Sequence, residues 1–276
     1  IIKINQNGDV EWESVYENEN PNVFSYAKCI KEDLINGGYI IGGSHILKIN
    51  DNTPAEIEWS NYDINSEDII ITELGEYISV GGASLNCQNP NNGFQISKIN
   101  NQGNLIDSEC FGDFDVGIEK AYSIDYIAND NYIVVGNIYS EDCNFITPEN
   151  CGNIPEPSPS SDFGYHGGGD IWVIKIKDNG TFLTQVPLES GVTGKCYGGG
   201  GFDQAYDVQC VDGEYAIICG YTESNADDFY NETIISQGGG DFWILKIDVS
   251  DGNLIWQKSI GSSHKDHAYS LDIDQE

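Results

Sequence analysis

An all-β fold assembled from four-stranded antiparallel units in series, a β-propeller, is predicted by three observations. A Lys-Ile pair closes an apolar run five times, at Lys3-Ile4, Lys48-Ile49, Lys98-Ile99, Lys175-Ile176 and Lys246-Ile247, in a chain whose 12 basic residues are all lysine. Around that slot a longer pattern returns: a turn, a strand carrying tryptophan, another turn, a tyrosine-led strand, then Gly-Gly. Repetition on this scale marks one supersecondary unit copied in tandem. No stretch shows sustained apolar periodicity at helical spacing, so no helix is expected.

Aligning on the Lys-Ile slot gives the unit strand by strand. The first strand is carried by Ala121-Tyr122-Ser123-Ile124, Ala205-Tyr206-Asp207-Val208 and Ala268-Tyr269-Ser270-Leu271. The second runs from Tyr39, Tyr77, Tyr132 and Tyr215 into a glycine, with Cys219 aligned to Gly81 and Gly136. The third is the signature strand, Ile171 to Ile176 and Phe242 to Ile247. Turns such as Asn7-Gly8, Gln102-Gly103, Asn179-Gly180 and Asp251-Gly252 lead to the fourth strand, which ends on Trp12, Trp59 or Trp256, with Asp107 and Thr184 in that slot elsewhere. Short β-branched and aromatic runs bounded by such turns are hairpin signals. Four-stranded units that cannot bury both faces alone are the mark of propeller blades.

Residues 1–276 form one domain of four complete blades and a split or partial fifth. Residues 1–16 supply third and fourth strands, and 266–273 a first strand, so the chain is expected to be part of a longer polypeptide. Long insertions follow the second strand at 137–169 and 221–240, and variable loops on a constant scaffold are where specific binding is expected.

The Tyr-x-x-x-Gly-Gly strand, the aromatic in the next strand and the tryptophan closing the fourth resemble kelch-type blades. The fuller phrases, Gly238 to Asp248, Asp251 to Trp256 and Asp266 to Ser270, resemble the kelch-like propeller repeats of secreted bacterial and archaeal surface proteins. That resemblance covers nearly the whole chain. It implies an extracellular or cell-surface, non-enzymatic module for adhesion, scaffolding or surface assembly, with a neighbouring surface protein or a glycan as partner. The alternative is a carbohydrate-active propeller, a lectin or a glycoside-cleaving enzyme, which needs convergent carboxylates and aromatic sugar platforms. A quinone-dependent dehydrogenase ranks third, on one turn, Asp251 to Trp256.

Charge narrows the partners. A net charge of −33 repels phosphate backbones, so nucleic acid is not expected as a partner. It suits attraction to cations or basic partners. No apolar run is long enough to span a membrane as a helix. Eight cysteines without a CxxC pair point to disulfides in an oxidising compartment. Cys143 and Cys151 flank a short Pro-containing loop and are expected to be bridged.

Candidate site residues follow from the insertions. Tyr165 and His166, beside Asp170 at the exit of the longer one, and Phe229 and Tyr230 in the second, combine aromatic, imidazole and carboxylate groups suited to a sugar or peptide. Gly198 to Gly201 lacks the lysine and helix of a phosphate loop and is expected to be a flexible turn. His264, Asp266 and His267 lack the further ligands that a metal centre needs, and Asp266 matches Asp203 as a hydrogen-bonding group at the start of a first strand. No cofactor is expected beyond weak calcium binding at Asp227 and Asp228. The repeated lysine is expected to lay its stem along apolar surface and reach a carboxylate or carbonyl on a neighbouring strand.

Overall fold

A computed structural model of the chain describes residues 1–16, 26–82, 93–111, 119–138, 168–186, 188, 194–224 and 238–274. The elements among these residues are all strands, with no helix. The first sheet pairs β1 (Ile2–Ile4) with β2 (Val10–Glu13). The second contains β3 (Ala27–Glu32), β4 (Tyr39–Gly43), β5 (Ile46–Ile49) and β6 (Ile57–Asn61). The third contains β7 (Asp68–Ile71), β8 (Tyr77–Gly82), β9 (Phe94–Ile99) and β10 (Leu105–Phe111). The fourth contains β11 (Lys120–Ala128), β12 (Asn131–Ile138), β13 (Asp170–Asp178), β14 (Leu183–Val186) and β15 (Gly194–Tyr197). The fifth contains β16 (Asp203–Val211), β17 (Tyr215–Thr222), β18 (Asp241–Asp248) and β19 (Leu254–Ile260).

Each sheet is an antiparallel meander in chain order. The fourth has five strands by count but four by position. Its β14 pairs with one end of β13, Lys175 to Asp178, and β15 with the other, Ile171 to Ile174. Turns after the Lys-Ile slot put Gly8, Gly103, Gly180 and Gly252 at φ between 67° and 93°, a left-handed conformation that glycine adopts without a Cβ clash.

Residues 266–274 carry the first-strand pattern but form no strand. No described second strand lies beside them to pair with. They nevertheless lie where a first strand belongs. Ala268 N donates to Gly220 O (3.2 Å), Leu271 N to Asp207 Oδ2 (2.9 Å), and Gln209 Nε2 to Leu271 O (2.9 Å).

The core is a set of layers between successive sheets. Trp12 of the first sheet packs with Leu47 and Ile49 of the second, and Ile40 and Ile46 of the second pack with Ile69, Tyr77 and Ile99 of the third. Ile78, Val80 and Phe94 of the third pack with Trp172, Ile174 and Ile176 of the fourth. Ile133, Val135 and Val173 of the fourth then pack with Trp243, Leu245 and Ile247 of the fifth. Alternation along each strand sends neighbouring residues into different layers, so every internal sheet is buried on both faces. Each sheet is open.

Four of the five repeated lysines reach a carboxylate or carbonyl as the sequence suggests, whereas Lys246 Nζ lies over the Tyr215 ring, 4.0 Å from its centre. Lys3 Nζ lies 3.2 Å from Asp51, Lys98 Nζ 2.7 Å from Asp178 and 2.9 Å from Glu76, and Lys175 Nζ donates to Val249 O at 3.2 Å. Asp51, Asp178 and Val249 each stand three residues after the lysine of the following sheet. Lys48 instead turns to Asp33, Glu58 and Gly37 O within its own sheet.

Candidate binding site on the inner strands

The first strands β3, β7, β11 and β16 lie next to one another along the inner edge of the stack. Their backbones do not pair. Side chains join them instead. One slot holds Cys29, Asp68, Ser123, Asp207 and Ser270 in successive units. Asp68 Oδ2 accepts from Ile124 N (3.2 Å), Asp125 Oδ2 from Cys210 N (2.6 Å) and Asp207 Oδ2 from Leu271 N (2.9 Å), each reaching the next first strand. Ser123 Oγ lies 3.0 Å from both Asp68 Oδ2 and Asp207 Oδ1, and one hydroxyl proton cannot serve both. Burial pushes the Asp68 carboxyl above the usual range.

Lys31, two residues beyond the slot on β3, lies 3.4 Å from Asp68. Burial works against its charge, but Asp68 and Asp207 outweigh that and hold the ammonium above its usual range. Lys31 thus feels a carboxylate three sheets ahead.

The residue just before the slot carries the candidate site. In β3, β11 and β16 the pairing with the second strand slips by one residue, leaving Lys28, Tyr122 and Tyr206 as extra residues between paired neighbours. These are β-bulges, which bend a strand and re-aim a side chain. Glu67 and Tyr269 occupy the same position in their units.

The resulting arc has an ionic half and an aromatic half. Glu67 lies 3.4 Å from Lys28 Nζ and 2.5 Å from Lys120 Nζ, with Lys120 5.5 Å from the Tyr122 ring centre. Tyr122 then meets Tyr206 edge-on at 5.7 Å, and Tyr206 meets Tyr269 at 4.8 Å. His267 stacks between Tyr221 (4.1 Å, 11°) and Tyr269 (5.5 Å, 8°), with Nδ1 3.2 Å from Tyr206 Oη. Tyr269 is 67% exposed. At the rim Glu223 takes hydrogen bonds from Lys265 Nζ (2.5 Å) and Tyr221 Oη (2.6 Å), which hold its carboxyl below the usual range. Such a surface offers ring faces for stacking and fixed charges for polar groups around them.

A glycine lies opposite each bulge, and Gly81 makes the same close approach in the third sheet, where the register between β7 and β8 does not slip. Added Cβ atoms on Gly43, Gly81, Gly136 and Gly220 would sit 1.9, 2.4, 2.1 and 1.8 Å from the carbonyl oxygens of Tyr26, Asn65, Lys120 and Gln204. This corrects the repeat alignment of the second strand. Gly220, not Cys219, is the counterpart of Gly81 and Gly136; Cys219 pairs with Asp207 as Val135 pairs with Ser123.

Of the residues singled out from sequence, Tyr165, His166, Phe229, Tyr230, Cys143, Cys151, Asp227 and Asp228 lie outside the described residues. Asp170 is described and buried at the start of β13. Its charge helps burial push the Asp203 carboxyl up to about 6. An added Cβ on Gly198 would sit 2.0 Å from Asp170 Oδ1 and 2.8 Å from Asp203 Oδ2. The four-glycine run is therefore more than a flexible turn, because it makes room for two carboxylates. Asp203 and Asp266 do play one role: Asp203 accepts from Gly199 N (2.8 Å) and Asp266 from Ser262 N (2.6 Å), each four residues back. Among the described residues no group of three or more His, Cys, Asp or Glu side chains is placed to hold a metal ion. Burial pushes the Cys29 and Cys219 thiols up to about 12, while Cys110 is disulfide-bonded.

Sequence reasoning noted the Ala-Tyr-Ser phrase as a strand marker and missed it as a site. The signal was present, since an aromatic at one fixed place in three units is more than β propensity requires. No family model matches the chain, and no curated protein matches it.

Proposed function

We propose that the chain is a non-enzymatic, extracellular β-propeller of the kelch-like kind, an adhesion module that takes a glycan on its inner arc. The observation that carries this reading is the bulged arc itself, in which Tyr122, Tyr206, His267 and Tyr269 form one aromatic surface flanked by Glu67, Lys120, Glu223 and Lys265. Aromatic faces of this kind suit sugar rings, and the flanking charges suit their hydroxyls. The serial four-stranded sheets and the inner position of their first strands support the propeller arrangement. A charge of −33 suits a module exposed to salt and cations.

Glycoside cleavage is the second reading, favoured by carboxylates beside the aromatic surface. Against it, Glu67 and Glu223 are each held by lysine, and the Glu223 carboxyl is held below its usual range. One of a catalytic pair must instead hold a proton at working pH. A glycan array probed with the wild type and with Tyr206→Ala and Tyr269→Ala variants separates the readings. Wild-type binding to a defined sugar class, weakened at least tenfold by either variant without release of free sugar, is the expected result. Binding that survives both variants places the site elsewhere, and sugar release establishes the second reading.

A further inference from the structure

The turn from β13 to β14 carries a pattern that its sisters lack. It reads Asn179-Gly180-Thr181, an asparagine with threonine two residues on and no proline between, which is the acceptor pattern for N-linked glycans. The turns at 5–9, 50–56, 100–104 and 248–253 make the same connection with no serine or threonine two residues after an asparagine. The scaffold therefore does not require the pattern. Phe182 stands two residues after the turn glycine, where Val10, Leu105 and Leu254 stand elsewhere. Of these turns, only this one sets an aromatic ring in that place.

Asn179, Gly180 and Thr181 are exposed, and Phe182 is 57% exposed. Asn179 N donates to Phe182 O (3.1 Å), and its Oδ1 accepts from Thr181 N (3.1 Å) and Phe182 N (2.8 Å). The side-chain amide is thus held by its oxygen. Among the described residues neither Asn179 Nδ2 nor Thr181 Oγ1 makes a hydrogen bond. A Cβ added to Gly180 would meet nothing within 4 Å, so the turn has room for an attached group. It is fixed from behind, because Gly180 O accepts from Lys98 Nζ (2.9 Å) and Gly180 N donates to Asp178 Oδ1 (2.8 Å). It also stands at the far end of its sheet from the inner arc. Tyr122 lies near the start of β11, whereas the end of β13 lies beside Asn131, which pairs with Ala128 at the end of β11.

We propose that Asn179 is an acceptor for an N-linked glycan whose first sugar lies on the Phe182 ring. In the transfer, Asn179 Nδ2 bonds to the anomeric carbon of a sugar carried on a lipid-linked phosphate. The bond from that carbon to the phosphate oxygen breaks, the lipid phosphate leaves with the electron pair, and the amide gives one proton to a base of the transferase. An amide nitrogen is a weak nucleophile because its lone pair is shared with the carbonyl, so the reaction needs that enzyme. The Thr181 hydroxyl is the group by which the enzyme recognises the acceptor. Once attached, the sugar covers apolar ring surface that water otherwise wets, and it leaves the inner arc open. The inference rests on the extracellular part of the reading above, since such transfer acts on exported chains, and not on glycan binding at the arc.

Export from a host that attaches N-linked glycans tests the site wherever the native chain resides, so its failure is distinct from failure of the extracellular reading. The chain carries Asn231→Gln, which removes the second such pattern, Asn231-Glu232-Thr233, outside the described residues. An Asn-Gly-Thr acceptor in a leading tag reports that the transferase has acted on each chain. Peptide mapping is expected to find Asn179 glycosylated in this chain and in its Thr181→Ser variant, and bare in Thr181→Ala. A bare Asn179 on chains whose tag is modified overturns the proposal, as does a glycan that persists in Thr181→Ala. Thr181→Ala keeps the backbone N–H that Asn179 Oδ1 accepts, so it also serves as the unglycosylated reference in thermal melts. The glycosylated chain should melt about 1–3 °C above it, and the difference should vanish when both carry Phe182→Ser. A difference that survives Phe182→Ser, or equal melting without it, overturns the seating of the sugar on Phe182.

Discussion

Lysine in the repeated slot costs or contributes according to what the following sheet offers. Lys98 is buried between Asp178 and Glu76, so Lys98→Met leaves two carboxylates facing an apolar stem. Removing one partner of a buried pair costs about 3–5 kcal/mol. Lys246, resting on Tyr215, has a cation–π contact of about 0.5–1 kcal/mol to lose. Urea unfolding of the two variants should show that difference, and equal losses would mean that the slot acts locally. The slot was legible in the sequence. Which lysines are buried was not, because it depends on residues up to 82 positions away, as Lys98 and Gly180 show.

Asp203 makes a pH-dependent case at the same scale. Its carboxyl, pushed up to about 6 by burial and by Asp170, keeps a proton that the unfolded chain releases near its ordinary value of 3.8. The folded state is thus favoured below about pH 4, and this contribution is lost as pH rises through about 6. The shift corresponds to roughly 2–3 kcal/mol. Asp203→Asn, which keeps an acceptor for Gly199 N and Ser224 Oγ, should resist urea better than the wild type at pH 7.5 and match it at pH 4. A pH-independent difference would show that Asp203 does not titrate in this window.

At the scale of the element, the bulge joins first strand to second and decides what the inner arc displays. Two glycines test it. Gly136→Ala drives a Cβ to 2.1 Å from Lys120 O at the Tyr122 bulge, whereas Gly82→Ala, beside a first strand whose register does not slip, meets nothing closer than Lys120 Cγ at 3.8 Å. Overpacking of the first kind costs about 1–3 kcal/mol, and the second substitution should be nearly silent in thermal melts. Similar melting temperatures for both would remove the bulge explanation. The Gly-Gly pattern was visible in sequence, but the bulge was not. A one-residue slip changes no residue type, only pairing, and β17 has one more residue between its tyrosine and its glycine than β8 or β12. That extra residue is why Cys219 was set against glycine.

For the whole molecule, hydrophobic periodicity and turn chemistry were enough to read the order of sheets and their strand count. Five lysine slots and four glycine turns mark them in the chain itself. The inner arc was less legible, because Glu67, Tyr122, Tyr206 and Tyr269 are 202 positions apart from first to last. Only stacking of the sheets brings them together. The end strand expected at 266–273 does not form, since a strand needs a neighbour to pair with and its pattern alone cannot supply one.

The lysine ladder also bears on resistance to proteolysis. Trypsin-like proteases cut after lysine and arginine, and this chain has no arginine and only 12 lysines. Five of those sit in paired strands, with Lys48 and Lys98 buried outright. A protease needs an extended, accessible backbone around its cut, and these positions withhold it for as long as the sheets stay stacked. Lys3, Lys98 and Lys175, which fasten one sheet to the next, thereby serve a second purpose in thinning the digestion map.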